Sequence, residues 1–165
     1  MIQNKEAMET KFNFNSQVCT SRSQSERLLA LGLKKETADC YYWQETEPMH
    51  GEATGVWYLE TLDTEDAQEH FEYLDKYFGV CLADDEEHYF IPAWCLHRLI
   101  EMMPTMIKRW NQEWELSING AGVIYFRKDT TAIIEALAGN VYDNIISTIE
   151  WLIKEGYFNK AYLEE

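Results

Sequence analysis

An α+β fold follows from three features of the sequence: short capped helical segments early in the chain, a period-two hairpin signal past its middle, and one long amphipathic helix near its end. Together they predict a mobile N-terminal arm over 1–18 and a single α+β domain over 19–165. That domain is expected to have short N-terminal helices, a mostly antiparallel sheet, a buried central helix near 92–103 and a long C-terminal helix near 141–155. With 165 residues, the chain can bury roughly 70% of its unfolded surface without disulfides or metals.

Taken in order, Met1 to Val18 is polar, with Phe12 and Phe14 as its candidate anchors. From Thr20, the run Thr-Ser-Arg-Ser-Gln-Ser-Glu offers several N-caps, and Leu28, Leu29 and Leu31 lead to Gly32, so a two-turn helix is predicted there. Lys35 to Asp39 reads as a second short helical turn. Tyr41 to Gln44 and Val56 to Leu62 are rich in strand formers. The loop between them holds Pro48, Gly51 and Gly55, which suggests a long-looped hairpin. Asp63 or Thr64 then caps a helix whose Ala67, Phe71, Leu74 and Phe78 share one face, with Gly79 ending it. Val80 to Ala83 is a short apolar run, Asp84 to Glu87 a turn, and His88 to Ile91 a short strand.

Ile91 to Pro104 is the densest apolar segment, and it is read as the buried central helix. Pro92 suits a first helical turn, whereas Pro104 must force the chain out after Met103. Leu96, Leu99, Ile100 and Met103 share one face, which Trp94, Cys95 and Met102 widen. A helix apolar over most of its circumference needs neighbours on several sides, so the other elements should pack around it.

Beyond Pro104 the period changes to two. Trp114, Leu116 and Ile118 alternate with Glu115, Ser117 and Asn119, and Asn119, Gly120 and Gly122 supply the turn before Val123 to Asp129. Thr130 to Ala138 mixes the strand formers Thr131, Ile133 and Ile134 with the helix formers Glu135 to Ala138, and is read as a third strand. Gly139 and Asn140 precede the last helix. Its buried face is Tyr142, Ile145, Ile146, Ile149, Leu152 and Ile153, and Gly156 closes it.

The formal charge of −15, from 29 acidic and 14 basic residues, opposes a phosphate-binding surface, so direct nucleic-acid binding is not expected. A solvated coat accounts for the acidity. The pointed alternative is an acidic mimic of DNA that occupies a basic DNA-binding protein, which would need acids in rows. Glu65, Asp66, Glu69, Glu72 and Asp75 can supply one row. No window carries the run of about eighteen apolar residues that a membrane span requires, and Met1 to Lys11 holds no apolar leader core. A soluble, cytoplasmic protein without membrane contact is therefore expected, in which Cys19, Cys40, Cys81 and Cys95 serve as small apolar side chains.

No glycine-rich phosphate loop, Gly-x-Ser-x-Gly elbow or His-Glu-x-x-His helix is present. His88, Cys95 and His97 are the one close set of soft-metal ligands. On a helix, Cys95 and His97 point about 200° apart, which disfavours both a zinc site and a nucleophile–base pair. Asp84 to Glu87 lacks the glycine and alternating spacing of a calcium loop. The many Trp and Tyr side chains could line a stacking groove, although core packing explains them. No catalytic, cofactor-binding or metal-binding residue is nominated, and no cofactor is called for. The leading reading is a non-enzymatic binding or accessory protein with a protein partner. A small enzyme using scattered carboxylates or Cys95 is the competitor from another class, and its signature would be a deep pocket of titratable groups.

Gln24 to Leu33, Glu36 to Asp39, Ile91 to Trp94, Leu99 to Pro104, and Ile149 to Ile153 with Gly156-Tyr157 resemble, in that order, a family of small uncharacterised proteins carried by bacterial prophages and other mobile elements. The resemblance implies no assigned activity and no catalytic residue. Family members commonly show serine after the tryptophan where this chain has Cys95, which weakens a reactive role for that thiol.

Overall fold

The computed structural model describes residues 17–46, 53–79, 90–119, 122–129, 131–137 and 139–164. Its first helix, α1 (Arg22–Ala30), starts at a reciprocal cap: the Ser21 hydroxyl accepts from the Gln24 amide and the Gln24 side chain accepts from the Ser21 amide. A 3-10 turn follows at Lys35–Thr37, as predicted for this stretch.

β1 (Cys40–Thr46), β2 (Ala53–Thr61) and β3 (Phe90–Ala93) form a three-stranded antiparallel sheet in the order β2-β1-β3. α2 (Glu65–Phe78), capped by Thr64, packs Leu74, Phe71 and Ala67 against Tyr41 and Phe90 of this sheet. A second sheet is an antiparallel meander of β4 (Met106–Arg109), β5 (Gln112–Asn119), β6 (Gly122–Phe126) and β7 (Ala132–Ala136). In chain order α3 (Leu96–Met102) separates the two sheets and packs on α4 (Val141–Lys154), which closes the fold against β6 and β7. Asn140 caps α4 by accepting from the Asp143 amide. The α4 side chains Tyr142, Ile145, Ile146, Ile149 and Leu152 are buried with Trp94, Leu99, Ile107, Trp114, Val123 and Tyr125 in the main core.

The α+β class, both predicted hairpins, the third strand and the terminal helix hold. Three expectations need correction. The sheet is two sheets. β4 was not anticipated, because Met106 to Arg109 alternates too briefly to show its period. The central helix does not span 92–103: the chain stays extended through Ala93, with Pro92 opposite Tyr41 in β3, and turns helical only at Leu96. Pro92 is tolerated there because β3 lies at the end of the named sheet, where a missing amide hydrogen need break no ladder bond. Trp94 and Cys95 therefore precede α3, and Cys95 is its N-cap, with Sγ accepting from the Arg98 amide. Trp94 is still the organising residue and is fully buried. Its amide donates to Thr20 Oγ1 at 3.0 Å, its carbonyl accepts from the Thr20 amide at 2.9 Å, and its indole Nε1 donates to Thr37 Oγ1 at 2.9 Å.

The expected arm falls almost wholly outside the described residues, as do Phe12, Phe14, the loop over 47–52 and the run from Val80 to His88. Gln17 and Val18 are already tied down. The Gln17 side chain donates to Gln24, and the Val18 carbonyl accepts from Tyr142 at 2.6 Å.

Candidate functional site

The cysteine and histidine candidates separate. Cys95 is half-buried, its thiol donating to Asp39 Oδ2 at 2.5 Å and its amide to Asp39 Oδ1 at 2.7 Å. Burial and the Asp39 carboxylate push this thiol up, away from ready ionisation. His97 lies on α3 with its side chain exposed beside Glu101 at 3.0 Å, and His88 is outside the described residues. The two described members do not converge, although the reason is not a shared helix, since Cys95 stands before it. Among the described residues, no group of three or more His, Cys, Asp or Glu is arranged to hold a metal ion.

A polar set that sequence reasoning missed joins β1, β2 and α2. The Tyr41 hydroxyl donates to Glu60 and lies 3.0 Å from His70 Nδ1, which is 3.5 Å from the same carboxylate. Tyr, Glu and His could relay a proton, but Tyr41 is fully buried, and Phe71, Phe90 and His70 pack around its ring. Burial, then the Glu60 carboxylate, raises its phenol well above the usual range. Each polar group here is engaged by the other two. The set reads as a clamp of α2 onto the sheet.

The feature that packing does not explain is the turn between β4 and β5. Arg109 pairs with Gln112, leaving Trp110 and Asn111 as a two-residue turn with φ of 53° and 58°. Positive φ at both central residues is the type I′ arrangement, which matches strand twist and favours Asn or Gly. Asn111 suits it. Trp110 does not, since the left-handed region costs a bulky residue roughly 1–2 kcal/mol, yet the residue is 71% exposed and meets the core at a single ring edge. The Arg109 guanidinium lies 4.6 Å over its ring. Beneath, the buried Trp114 meets Trp110 edge-on and carries Arg127 over its own ring at 5.6 Å.

The turn overhangs an open groove of about 700 Å³, lined by Lys108, Trp110, Gln112, Glu115, Arg127 and Lys128 among others. With Arg109, four of the chain's 14 basic residues gather here, on a protein of charge −15. Arg109 also bridges to Glu155 at 3.0 Å, fixing the turn to the end of α4, and Arg127 is held between Gln112 and Asp129. That guanidinium keeps the Asp129 carboxyl well below the usual carboxylate range. The surface therefore offers an indole face, guanidinium donors held in place and side-chain amides, with no nucleophile set against a base. Such groups can anchor a binding partner. A sequence signal existed: Arg109-Trp110-Asn111-Gln112 places Asn at the second turn position between two extended runs.

No family model, curated protein or solved structure matches the chain.

Proposed function

We propose that this is a non-enzymatic binding protein that engages a protein partner through the β4–β5 turn. The observation that carries the reading is Trp110, a large aromatic side chain held exposed at a backbone position that penalises it, beside a groove with preset guanidinium groups. Exposed Trp and Arg flanked by polar rim residues are the usual anchors of an interface. The complementary partner surface carries an apolar pocket for the indole and hydrogen-bond acceptors for the guanidinium N–H groups of Arg109 and Arg127 beyond those that Glu155, Gln112 and Asp129 engage. The resemblance of the α1, β3, α3 and α4 segments to prophage-borne proteins makes a protein of the same mobile element, or of its host, the natural partner.

The test is photo-crosslinking from position 110 in extract of the native host, followed by affinity measurement on the captured protein with wild type and Trp110→Ala. At least a tenfold loss of affinity, with an unchanged melting temperature, is expected, since an anchor indole is worth on the order of 2 kcal/mol or more. Equal affinities would remove the turn from the interface.

Mimicry of DNA by acidic side chains draws on less. Glu65, Asp66, Glu69 and Glu72 form one exposed row on α2, but Asp75 is spent on Lys35 at 2.5 Å and Glu60 on Tyr41. One helical row is ordinary amphipathicity.

A further inference from the structure

Three thiols meet where the segment entering α1 crosses the chain before α3. Cys19 and Cys40 are buried together against Ala93, with Tyr42 and Cys95 packed beside them. Cys19 lies opposite Cys95 in an isolated antiparallel bridge. The hydrogen bond of that bridge runs between the flanking residues, from the Thr20 amide to the Trp94 carbonyl at 2.9 Å. Cys19 and Cys95 are thus a non-hydrogen-bonded pair, the kind whose Cα atoms approach to about 4.5 Å. Their side chains share one face. This separation falls within the window a disulfide accepts, roughly 4.4–6.8 Å. All three thiols are free in the structure.

We propose that Cys19 and Cys95 are a reversible redox pair that closes to a disulfide on exposure to a peroxide, stapling the segment that enters α1 to the cap of α3. The geometry divides the labour. Cys95 is the reachable thiol, half-buried; burial and Asp39 hold it protonated, and the same carboxylate, 2.5 Å from the sulfur, is the base that takes the proton during attack. Its sulfur attacks one peroxide oxygen as Asp39 accepts the proton. The O–O bond breaks, and the departing hydroxide takes that proton to become water, leaving a sulfenic acid on Cys95. The Cys19 sulfur then attacks the Cys95 sulfur, the S–S bond forms, the S–O bond breaks, and the second hydroxide takes up the proton lost by Cys19. Two thiols and one hydrogen peroxide give one disulfide and two waters.

Cys19 is suited to the second step. It is 1% exposed and therefore shielded from over-oxidation. Hydrogen bonding with Cys40, then with the Tyr42 hydroxyl 3.4 Å away, lowers the Cys19 pKa against the opposing effect of burial, while Cys40 is correspondingly raised. The cost falls on α3, because a Cys95 drawn toward Cys19 releases both Asp39 and the Arg98 amide. The staple exchanges one cap for a covalent tie.

The reduced full-length protein is treated with an equimolar amount of hydrogen peroxide, quenched by alkylation and mapped by mass spectrometry without reduction. A cross-linked peptide pair containing Cys19 and Cys95, reversed by a dithiol reductant, is expected. Sulfinic acid on Cys95 without a cross-link, or a cross-link that uses Cys40 or Cys81 instead, would overturn the proposal. Wild-type mapping does not depend on any variant folding. In Cys40→Ala the same pair should still close and reopen, because the Cys19–Cys95 bridge does not use Cys40. Loss of the cross-link in that variant, with its melting temperature unchanged, would assign the disulfide to Cys40 and overturn the pairing.

Discussion

Around Trp94 the backbone amide, the carbonyl and the indole Nε1 all have partners within 3.0 Å, and the ring is sealed from water. Around Trp110 the ring is solvated, the backbone sits at φ 53°, and its company is charged. The first arrangement is what the fold needs from a tryptophan. The second is something the fold could do more easily without. Several segments meet at the first: α1 holds α4 through Gln24 to Asp143 at 2.6 Å, Thr37 holds Trp94 and accepts from Arg98 Nε at 2.8 Å, and Asp39 holds Cys95. The β4–β5 turn lies outside all of them. The framework and the proposed contact surface therefore lie in different stretches of one small chain.

The largest expected effect that separates interior from turn is alkaline unfolding. Burial holds the phenols of Tyr41, Tyr125 and Tyr142 neutral, with Tyr142 pushed up to about 12 and the other two higher. Folded values above the unfolded value of about 10 mean that the stabilisation is complete below pH 10 and is lost as pH rises through the folded values. Melting temperature and phenolate absorbance followed together from about pH 9 to 12 should show these phenols ionising only as the protein unfolds. Full phenolate absorbance near pH 10 with the fold intact would mean that the three rings are hydrated.

Next is Trp94→Ala, expected to cost about 3–5 kcal/mol, since it empties the space of a fully buried indole and removes its hydrogen bond to Thr37. For a domain of this size that is a fall of roughly 10 °C or more by differential scanning calorimetry. Smaller is Thr37→Val, which keeps the shape but leaves Trp94 Nε1 buried without an acceptor, at about 1–3 kcal/mol. Chemical denaturation measures it, and Thr37→Ser should recover most of the loss. The smallest effect is at Trp110→Asn, where relief of left-handed strain should leave stability unchanged or raised by up to about 1 kcal/mol. A loss beyond about 1.5 kcal/mol would assign Trp110 a packing role on Trp114 and dissolve the contrast between the two tryptophans.

Where periodicity ran long, the sequence was legible. Tyr142 to Ile153 and Trp114 to Ile118 repeat often enough to declare helix and strand, and Thr64 and Asn140 mark their helix starts by cap chemistry. Ile91 to Ala93 could not be read the same way. An apolar run is equally a buried strand or a buried helix until a pairing partner is known, and the partner, β1, lies far back in the chain. Cys95 then looked like part of a helical face, when its sulfur in fact caps the helix, an uncommon role for cysteine that residue type does not advertise. The groove beside the β4–β5 turn was less legible still. Lys108 and Arg127 come together only because β4, β5 and β6 are neighbours in register, and an exposed tryptophan is indistinguishable by composition from a buried one.

The two sheets also assemble on different clocks. In the meander every strand pairs with the one before it, the β4–β5 connection being only Trp110 and Asn111, so little chain entropy is spent on closure. β3 instead must bring Ala93 back to Cys40, and the bridge at Cys19 must wait for Cys95. Although it is synthesised last, the C-terminal half should acquire protected amides first, and the N-terminal segments dock onto it afterwards. On the ribosome that order leaves the strand-forming Tyr41 to Gln44 and Val56 to Leu62 without their third strand while the rest of the chain emerges. Refolding followed by pulsed hydrogen exchange should show β5 and β6 protected before β1.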